Sequence, residues 1–226
     1  MARELDARDM GVSGASEPRP SSQPKRLPAD RRREQLLDVS LKLFATSGFS
    51  ATTMDEIAEA AGVTKPLLYQ HFDSKRALYL ELVDSVAESL LEGIEKAVAE
   101  AGGPRQQVEG GFAAYFQLVV TRADAFKLLF GSDVPNDPEL SRAVRNVENM
   151  IAEAIDVLID AGLEEDHRRM LAYAVVGMAE AASRYFLEQN GSGHGGKAET
   201  EAEQASRLAS RLADLAWAGL RSVHRD

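Results

Sequence analysis

Residues 62–75, GVTKPLLYQHFDSK, concentrate side chains that can bind an anion. Two carry hydroxyl groups, two carry ammonium groups and one carries an imidazole, and they are Thr64, Tyr69, Lys65, Lys75 and His71. Such groups donate hydrogen bonds to phosphate oxygens, and the lysines add positive charge. Because the whole chain has a formal net charge of -10, this stretch is a candidate phosphate-binding surface on an acidic protein.

The charge is distributed unevenly along the chain. Residues 1–80 contain 12 Lys/Arg and 11 Asp/Glu, whereas the remaining residues contain 14 and 25. Within residues 19–33, six Lys/Arg stand against one acidic residue. The N-terminal third can therefore approach a polyanion, and this asymmetry is a weak indication of a nucleic-acid partner.

Composition excludes several classes of protein. The 226 residues are 44% hydrophobic, which is enough to form a substantial core. The absence of cysteine excludes disulfides, zinc–thiolate sites and cysteine nucleophiles. The N-terminus lacks the apolar region of a secretory signal, and the longest weakly polar run, residues 170–183, is too short to span a bilayer. We therefore expect a cytoplasmic globular protein.

Two short helices are predicted to position the anion-binding side chains. Thr53 is a favourable N-cap, and Glu56 three residues later completes a capping box. The helix that follows ends at Gly62. Thr64 as the next N-cap and Pro66 in the first turn then predict a second short helix.

Longer helices are predicted on both sides of this pair. Periodic apolar residues from Asp30 predict an amphipathic first helix, which Gly48 ends as a left-handed cap. Ser74 caps a long fourth helix that ends at the GGP sequence of residues 102–104. Further helices are predicted over 105–121, 123–131, 137–161, 165–190 and 199–222. Because no stretch shows the alternation of a strand, the predicted fold class is all-α.

The two short helices and their glycine-containing turn form a helix-turn-helix pattern. In this motif the second helix enters the major groove of DNA, while its neighbours contact the backbone. Thr64 and Lys65 lie at the leading end of that helix, where base edges would lie. Pro66 and Leu67 can offer apolar contacts to a thymine methyl group.

Four further side chains suit contacts with phosphate. Tyr69 and His71 carry donors, whereas Lys75 and Thr53 lie at helix starts, where free backbone N–H groups would meet the same phosphate. Helix pairs of this kind also occur in proteins that never bind DNA, with Tyr69 half-buried and His71 solvated. The residue types alone leave both interpretations open.

Residues 31–80 resemble the DNA-binding domain of TetR-family transcriptional regulators. The resemblance rests on three segments in order, LFATSGFSATTM, DEIAEAAGV and TKPLLYQHFDSK. It implies a homodimer that places two helix-turn-helix heads on a palindromic operator in double-stranded DNA, acts as a repressor and binds a small apolar effector. The DNA contacts that it implies are Thr53, Thr64, Lys65, Pro66, Leu67, Tyr69, His71 and Lys75.

Three parts of the chain are predicted. Residues 1–28, rich in Pro, Ser, Gly and charge without apolar periodicity, form a disordered tail. With the resemblance, residues 29–76 are a helix-turn-helix DNA-binding domain and residues 77–226 a helical ligand-binding and dimerisation domain. The tail is longer than the usual arm of the family. Its basic end could enter a minor groove, or the tail could make no contact with DNA.

Four segments are similar to one branch of actinobacterial TetR-type regulators, which controls fatty-acid synthesis. They are RLPADRR, DEIAEAAGVTKPLLYQHFDSKRALYLELV, FKLLFGSDVPNDPEL and VVGMAEAASRYFLE. This similarity implies a long-chain acyl-CoA effector whose acyl chain is threaded through the helical domain. Some regulators of this branch activate transcription rather than repress it.

A pocket in a helical bundle is usually apolar with a few polar anchors. The large side chains that could line one are Phe112, Tyr115, Phe116, Phe126, Phe130, Met150, Tyr173, Met178 and Phe186. For any single one of them, a plain core position is the more common role. The clustering of aromatic residues over 112–130 modestly favours a large apolar ligand.

The last two helices are predicted to form the dimer interface. Residues 171–187 include small residues that permit close helix approach, among them Gly177. Residues 205–220 present an apolar stripe that consists of Leu208, Leu212, Leu215, Trp217 and Leu220. A four-helix contact across a two-fold axis would bury both surfaces. The alternative is that these residues pack only within the monomer.

No catalytic, cofactor or metal site is predicted. GSGHGG matches a dinucleotide-binding pattern but follows a helix instead of a strand, so it indicates a linker. Glu164 and His167 form a single E-x-x-H pair, whereas a di-iron bundle needs two such pairs. The chain is therefore not expected to be an enzyme. Two rival functions are a helical lipid carrier with a vestigial DNA-binding head and a non-specific nucleoid protein, which the acidic charge disfavours.

Overall fold

The computed structural model describes residues 28–130, 137–159, 162–191 and 200–223. These residues form nine helices and no strand, which confirms the all-α prediction. The helices are α1 Ala29–Ala51, α2 Met54–Ala60, α3 Lys65–His71, α4 Lys75–Ala99, α5 Pro104–Thr121, α6 Ala123–Phe130, α7 Pro138–Asp156, α8 Glu165–Gly191 and α9 Glu201–Leu220. The predicted tail, apart from Pro28, and the GSGHGG linker after Gly191 lie outside the described residues.

α1 is interrupted by a kink at Gly48. This residue has φ 78° and ψ 161°, a conformation that essentially only glycine adopts. The sequence therefore identified the correct residue, but its ψ is extended and not that of a left-handed cap. Beyond the kink, the Thr52 hydroxyl donates to the Gly48 carbonyl oxygen at 2.9 Å and holds the chain for its entry into α2.

The predicted capping box at the start of α2 is confirmed. Thr53 Oγ1 accepts from the Glu56 backbone N–H at 3.2 Å, and Glu56 Oε2 accepts from the Thr53 backbone N–H at 2.8 Å. Gly62 follows α2 with φ 64°, which lets the chain turn sharply into α3. Thr64 is the N-cap of α3, but its side chain makes no capping hydrogen bond.

α4 extends from the helix-turn-helix segment into the remainder of the bundle. Ser74 Oγ accepts from the Ala77 backbone N–H at 3.1 Å, which confirms the predicted cap. One face of the helix is buried along its length, through Leu78, Leu82, Val83, Val86, Leu90 and Ile94. α4 therefore packs near the helix-turn-helix at one end and against α5 and α7 at the other.

α7 ends at Asp156, earlier than the predicted residue 161. Ile159 and Leu163 lie in the connection to α8, and both are buried. The apolar pattern therefore continues past the end of the helix because the connecting segment also contributes to the core. Gly162, at φ 64°, redirects the chain towards α8.

α9 packs against α5 through small side chains. Its buried residues are Ala205, Ala209, Ala213 and Ala216. Of the predicted apolar stripe, Leu215 is 60% exposed, whereas Leu208, Leu212 and Leu220 are half-buried and pack against the core. Across the described ranges, no helix is both long and apolar enough to span a membrane.

Candidate nucleic-acid interface and apolar cavity

The leading end of α3 is open to solvent. Thr64, Lys65 and Pro66 are exposed, and Tyr69, one turn further, is 42% exposed. Leu68 faces inwards and is fully buried, so it anchors this short helix in the core. The remaining predicted contact residues differ in exposure: Thr53 is exposed, whereas Leu67, His71 and Lys75 are half-buried.

Lys65 is paired with an acidic residue on the neighbouring helix. Its Nζ lies 2.7 Å from Asp55 Oδ1, and both side chains are more than half exposed. The hydrogen bond and charge of Asp55 raise the pKa of Lys65. The pair brings the leading end of α3 next to the first turn of α2, where Thr53 is the N-cap.

Lys75 points towards the protein backbone. Its ammonium donates to the carbonyl oxygens of Phe49 and Thr52, both at 2.7 Å, and lies 4.4 Å from the centre of the Phe49 ring. These carbonyls belong to the end of α1 and its connection to α2. Lys75 thus ties the start of α4 to the segment that precedes Thr53, while its phosphate contact stays a prediction.

Arg33 holds three elements together and was not identified from the sequence. Its Nε donates to Glu81 Oε1 at 2.7 Å, and its Nη1 donates to the His71 carbonyl oxygen at 2.9 Å. The guanidinium also lies 4.6 Å from the centre of the Phe72 ring. Arg33 lies in the basic cluster of residues 31–33, but its partners are 38 and 48 residues away, and no local pattern predicts them.

A second ionic contact joins α4 to α7. Arg76 forms ion pairs with Asp137, the N-cap of α7, and with Glu139 in its first turn. Asp137 also accepts from the Glu139 backbone N–H at 2.9 Å. Burial alone would raise the pKa of Asp137, but the Glu139 backbone N–H and the Arg76 guanidinium help to hold it below the ordinary value.

An apolar cavity of about 540 Å³ lies between α4, α5, α7, α8 and α9, with Phe130 of α6 at its wall. Of the predicted pocket residues, Phe112, Tyr115 and Phe130 line it. Most of the other lining residues are aliphatic, including Ile94, Val98, Val108, Ile151, Ile155, Ile159, Val175, Val176 and Ala179. These aliphatic residues could not be identified as pocket residues from the sequence, because nothing distinguishes them from ordinary core positions.

The other predicted pocket residues lie elsewhere. Phe116 and Phe186 are buried in the core, and Met178 is half-buried. Phe126 lines a second cavity of about 400 Å³ beside Phe44 and Phe49.

Met150 and Tyr173 are 43% and 39% exposed and are not part of the wall of the larger cavity. Their helices turn about 100° per residue, so the neighbouring Ile151 and Val175 face inwards instead. The Tyr173 hydroxyl donates to Asn149 Oδ1 at 2.7 Å on the surface. The two residues therefore do not contribute to the wall of this cavity.

One side of α8 is exposed to solvent in the monomer. Met170 and Tyr185 are 56% and 63% exposed, and Gly177 and Ala181 between them are also exposed. Leu215 of α9 is exposed as well. We call these exposed residues of the two helices the α8–α9 outer face.

The residues with described positions contain no cluster of three metal-ligating side chains. Arg168 instead pairs with Asp156, at 3.4 Å, next to the E-x-x-H sequence at the start of α8.

Residues 36–82 match the family of bacterial regulatory proteins named tetR. Among curated proteins, the chain is 35% identical over 167 residues to the HTH-type transcriptional activator FasR of Mycolicibacterium smegmatis, covering 73% of this chain and 76% of FasR. It is 38% identical over 88 residues to the repressor KstR2 of Rhodococcus jostii, covering 39% of this chain and 43% of KstR2.

Two solved structures share the fold. The regulator FadR of Bacillus subtilis in complex with stearoyl-CoA superimposes with a TM-score of 0.68, at 13% identity, over 84% of this chain and 99% of FadR. A TetR-like regulator from Rhodococcus sp. RHA1 gives 0.69, at 24% identity, over 88% and 100%.

The relatives named above are transcriptional regulators and not enzymes. The match to FasR extends over about three quarters of both chains. The chain therefore belongs to the TetR family and is a DNA-binding transcriptional regulator.

Proposed function

We propose that this regulator binds a palindromic operator as a homodimer and that a long-chain acyl-CoA in the 540 Å³ cavity changes its affinity for DNA. The observation that carries the proposal is the position of the cavity. Its wall includes Ile94 and Val98 of α4, and the other end of α4 carries Lys75 and Arg76 beside the helix-turn-helix. One rigid helix thus adjoins both the effector cavity and the DNA-binding head.

The proposed DNA contacts fall into two groups. Thr64, Lys65, Pro66 and Leu67 approach bases, and Thr53, Tyr69 and His71 approach phosphates. The exposure of Thr64, Lys65 and Pro66 supports their assignment to the bases. We assign Lys75 mainly to holding the start of α2, because its ammonium already donates to two carbonyl oxygens.

The lining of the cavity supports an acyl effector. Aliphatic side chains from five helices surround it, and its volume lies within the usual range for ligand pockets. FadR, which shares the fold, was solved with stearoyl-CoA. A fatty acyl chain is the ligand class that best matches a cavity with so few polar groups.

The α8–α9 outer face supports the homodimer. It combines small residues, which allow close helix approach, with exposed Met170, Tyr185 and Leu215. We propose that residues 29–76 are the DNA-binding unit and that residues 77–226 provide the cavity and this interface. The protein then acts in the cytoplasm, where its operator and an acyl-CoA are both accessible.

The mechanism follows from thermodynamic linkage. If the effector favours one separation of the two heads and DNA favours another, each ligand weakens the binding of the other by the same factor. We propose repression as the resulting regulation. FasR is named an activator and KstR2 a repressor. A reporter gene fused to the recovered operator therefore tests whether this protein represses or activates transcription.

Selection of bound DNA from a random duplex pool tests the DNA-binding half. A recovered palindrome is the expected result, and salt of about 150 mM suppresses non-specific phosphate binding. Titration of the recovered operator with and without stearoyl-CoA then tests the effector half. A carrier with a vestigial head would bind stearoyl-CoA with no change in DNA affinity, and a nucleoid protein would not discriminate between operator and random DNA.

A further inference from the structure

Two hydroxyl groups are buried at the edge of the large cavity without a hydrogen-bond partner. Tyr115 is 6% exposed and Ser183 is 0% exposed. Within the described part of the chain, neither Tyr115 OH nor Ser183 Oγ makes a hydrogen bond of normal geometry, and their only polar contact is a weak one with each other. Buried polar groups nearly always have a partner, so two neighbouring exceptions require an explanation.

Of the two residues, Tyr115 lines the space that a ligand would occupy and Ser183 does not. The Ser183 hydroxyl lies beside the Tyr115 hydroxyl and lowers its pKa, although burial raises it by more. Ala179, one helical turn before Ser183 on α8, also lines the cavity. The hydroxyls are therefore placed where α5 and α8 meet the cavity wall.

Tyr79 provides the contrast within the same protein. It is also buried, but its hydroxyl donates to the Leu128 carbonyl oxygen at 3.2 Å. Tyr79 also lines a cavity, the second one of about 400 Å³, so the fold satisfies a buried tyrosine hydroxyl even beside a cavity. Tyr115 differs in that no backbone carbonyl accepts from its hydroxyl.

Two other polar lining residues lie near the start of α5 and the end of α9. Gln107 lies near the start of α5 and Arg221 lies at the end of α9, where it is exposed. Tyr115 is eight residues beyond Gln107 on α5, which is about 12 Å along the helix axis. A ligand that enters past Arg221 would meet apolar walls before it reaches the two hydroxyls.

We propose that Tyr115 and Ser183 form a polar subsite that binds an uncharged oxygen atom of the effector, with Tyr115 as the hydrogen-bond donor. This assignment rests on the proposed acyl effector and specifies its chemistry. The oxygen is either the thioester carbonyl of an acyl-CoA or a hydroxyl or keto group on the acyl chain. A wholly hydrocarbon ligand would leave the two protein hydroxyls with only their weak contact to each other.

The electrostatic surroundings agree with a donor role for Tyr115. Burial raises the pKa of the Tyr115 hydroxyl and Ser183 lowers it by less, so the group keeps its proton. Glu180 and Arg184 lie nearby and form an ion pair of 2.5 Å with each other. Because the charges of that pair are already matched, a neutral ligand oxygen suits the subsite better than a carboxylate.

The first test compares Tyr115→Phe with Tyr79→Phe in the ligand-free protein. Tyr79→Phe removes a satisfied hydrogen bond and should lower the melting temperature by about 2–4 °C. Tyr115→Phe removes an unpartnered hydroxyl and should leave the melting temperature unchanged or raise it. A decrease as large as that of Tyr79→Phe would show that Tyr115 has a structural partner, which overturns the subsite.

The second test measures the affinities of three probes by isothermal titration. They are stearoyl-CoA, its thioether analogue octadecyl-CoA, which lacks the carbonyl, and a hydroxystearoyl-CoA series with the hydroxyl at successive chain positions. If Tyr115 binds the thioester carbonyl, the wild type should prefer stearoyl-CoA to octadecyl-CoA by about two- to tenfold. If Tyr115 binds a chain oxygen, one hydroxystearoyl-CoA should exceed stearoyl-CoA by a similar factor.

In either case the preference should disappear in Tyr115→Phe and decrease in Ser183→Ala. The second variant keeps the test decisive if Tyr115→Phe fails to fold. Identical preferences in the wild type and both variants would overturn the subsite while leaving the acyl effector intact. Binding of none of the three probes by the wild type would overturn the acyl effector, and the subsite with it.

Discussion

Lys65 and Asp55 form an ion pair of 2.7 Å that joins the two helices of the helix-turn-helix motif. The ammonium that we assign to a base edge is therefore partly neutralised in the free protein. Because both side chains are exposed, the pair contributes little to stability. Its effect should instead appear in DNA binding.

Asp55→Asn should strengthen binding to every duplex, because it frees Lys65 and removes a negative charge from the DNA-facing surface. The gain should be up to about 1 kcal/mol, and Lys65→Ala should cost about 1–3 kcal/mol with a weaker base preference. Fluorescence anisotropy on operator and random duplexes measures both. Glu59→Gln removes an exposed charge elsewhere on α2 and is the matched control. A gain as large for Glu59→Gln would mean that the pairing itself has no role.

Lys75→Met should destabilise the protein by about 2 kcal/mol, since two carbonyl oxygens lose a charged donor. Urea denaturation measures this loss. DNA affinity should fall because the start of α2 loosens, with the same dependence on salt as the wild type. Unchanged stability together with a salt slope smaller by about one would identify Lys75 as a phosphate contact instead.

Gly177→Arg should give a folded monomer. A Cβ atom at Gly177 would have no neighbour within 4 Å in the protomer, yet the residue lies at the centre of the α8–α9 outer face. The matched control is Gly93→Arg on α4, another exposed helical glycine with the same free space. Analytical ultracentrifugation should show a dimer for the control and a monomer for Gly177→Arg. If both variants are dimers, the interface lies elsewhere.

Ala179→Phe should abolish the response to stearoyl-CoA while preserving operator binding. Ala179 is buried and lines the large cavity, so a phenyl ring there would occupy ligand space. Operator titrations with and without stearoyl-CoA measure the response. A full response in this variant would show that the effector binds outside the cavity.

The ionisation of Tyr79 should lower the free energy of unfolding at alkaline pH. Burial raises its pKa to about 12 from 10.0, so the unfolded chain releases the proton first. The stability contribution is complete below pH 10 and is lost as the pH rises from 10 through 12, by at most about 2–3 kcal/mol. Unfolding free energies across this interval should decline less in Tyr79→Phe than in the wild type. Tyr185→Phe, which alters a tyrosine that is 63% exposed, should decline as the wild type does.

Local chemistry explains what the sequence could predict. The Thr53–Glu56 capping box, the turn at Gly62 and the Ser74 cap each depend on residues within a few positions of one another. Such short-range signals place helix starts and turns reliably, and they therefore identified the helix-turn-helix and its exposed leading end.

The parts that the sequence could not predict depend on tertiary contacts. Lys75 and Arg33 have the residue types of DNA contacts, and only the fold shows that their charged groups meet carbonyls and Glu81. In the bundle, the size of the side chains suggested Met150 and Tyr173, which do not line the large cavity. The cavity wall is instead determined by helix rotation, which turns Ile151 and Val175 inwards.

The kink at Gly48 has a consequence for tolerance to mutation. Its backbone occupies a region that any side chain would strain, by an amount on the order of 1–3 kcal/mol. In a library of random variants selected for operator binding, position 48 should accept almost no replacement, as a fully buried position such as Leu36 would. Yet Gly48 has no side chain to contribute to DNA, effector or core. Intolerance at position 48 would therefore reflect the backbone conformation that leads into α2 and not the loss of a side-chain contact.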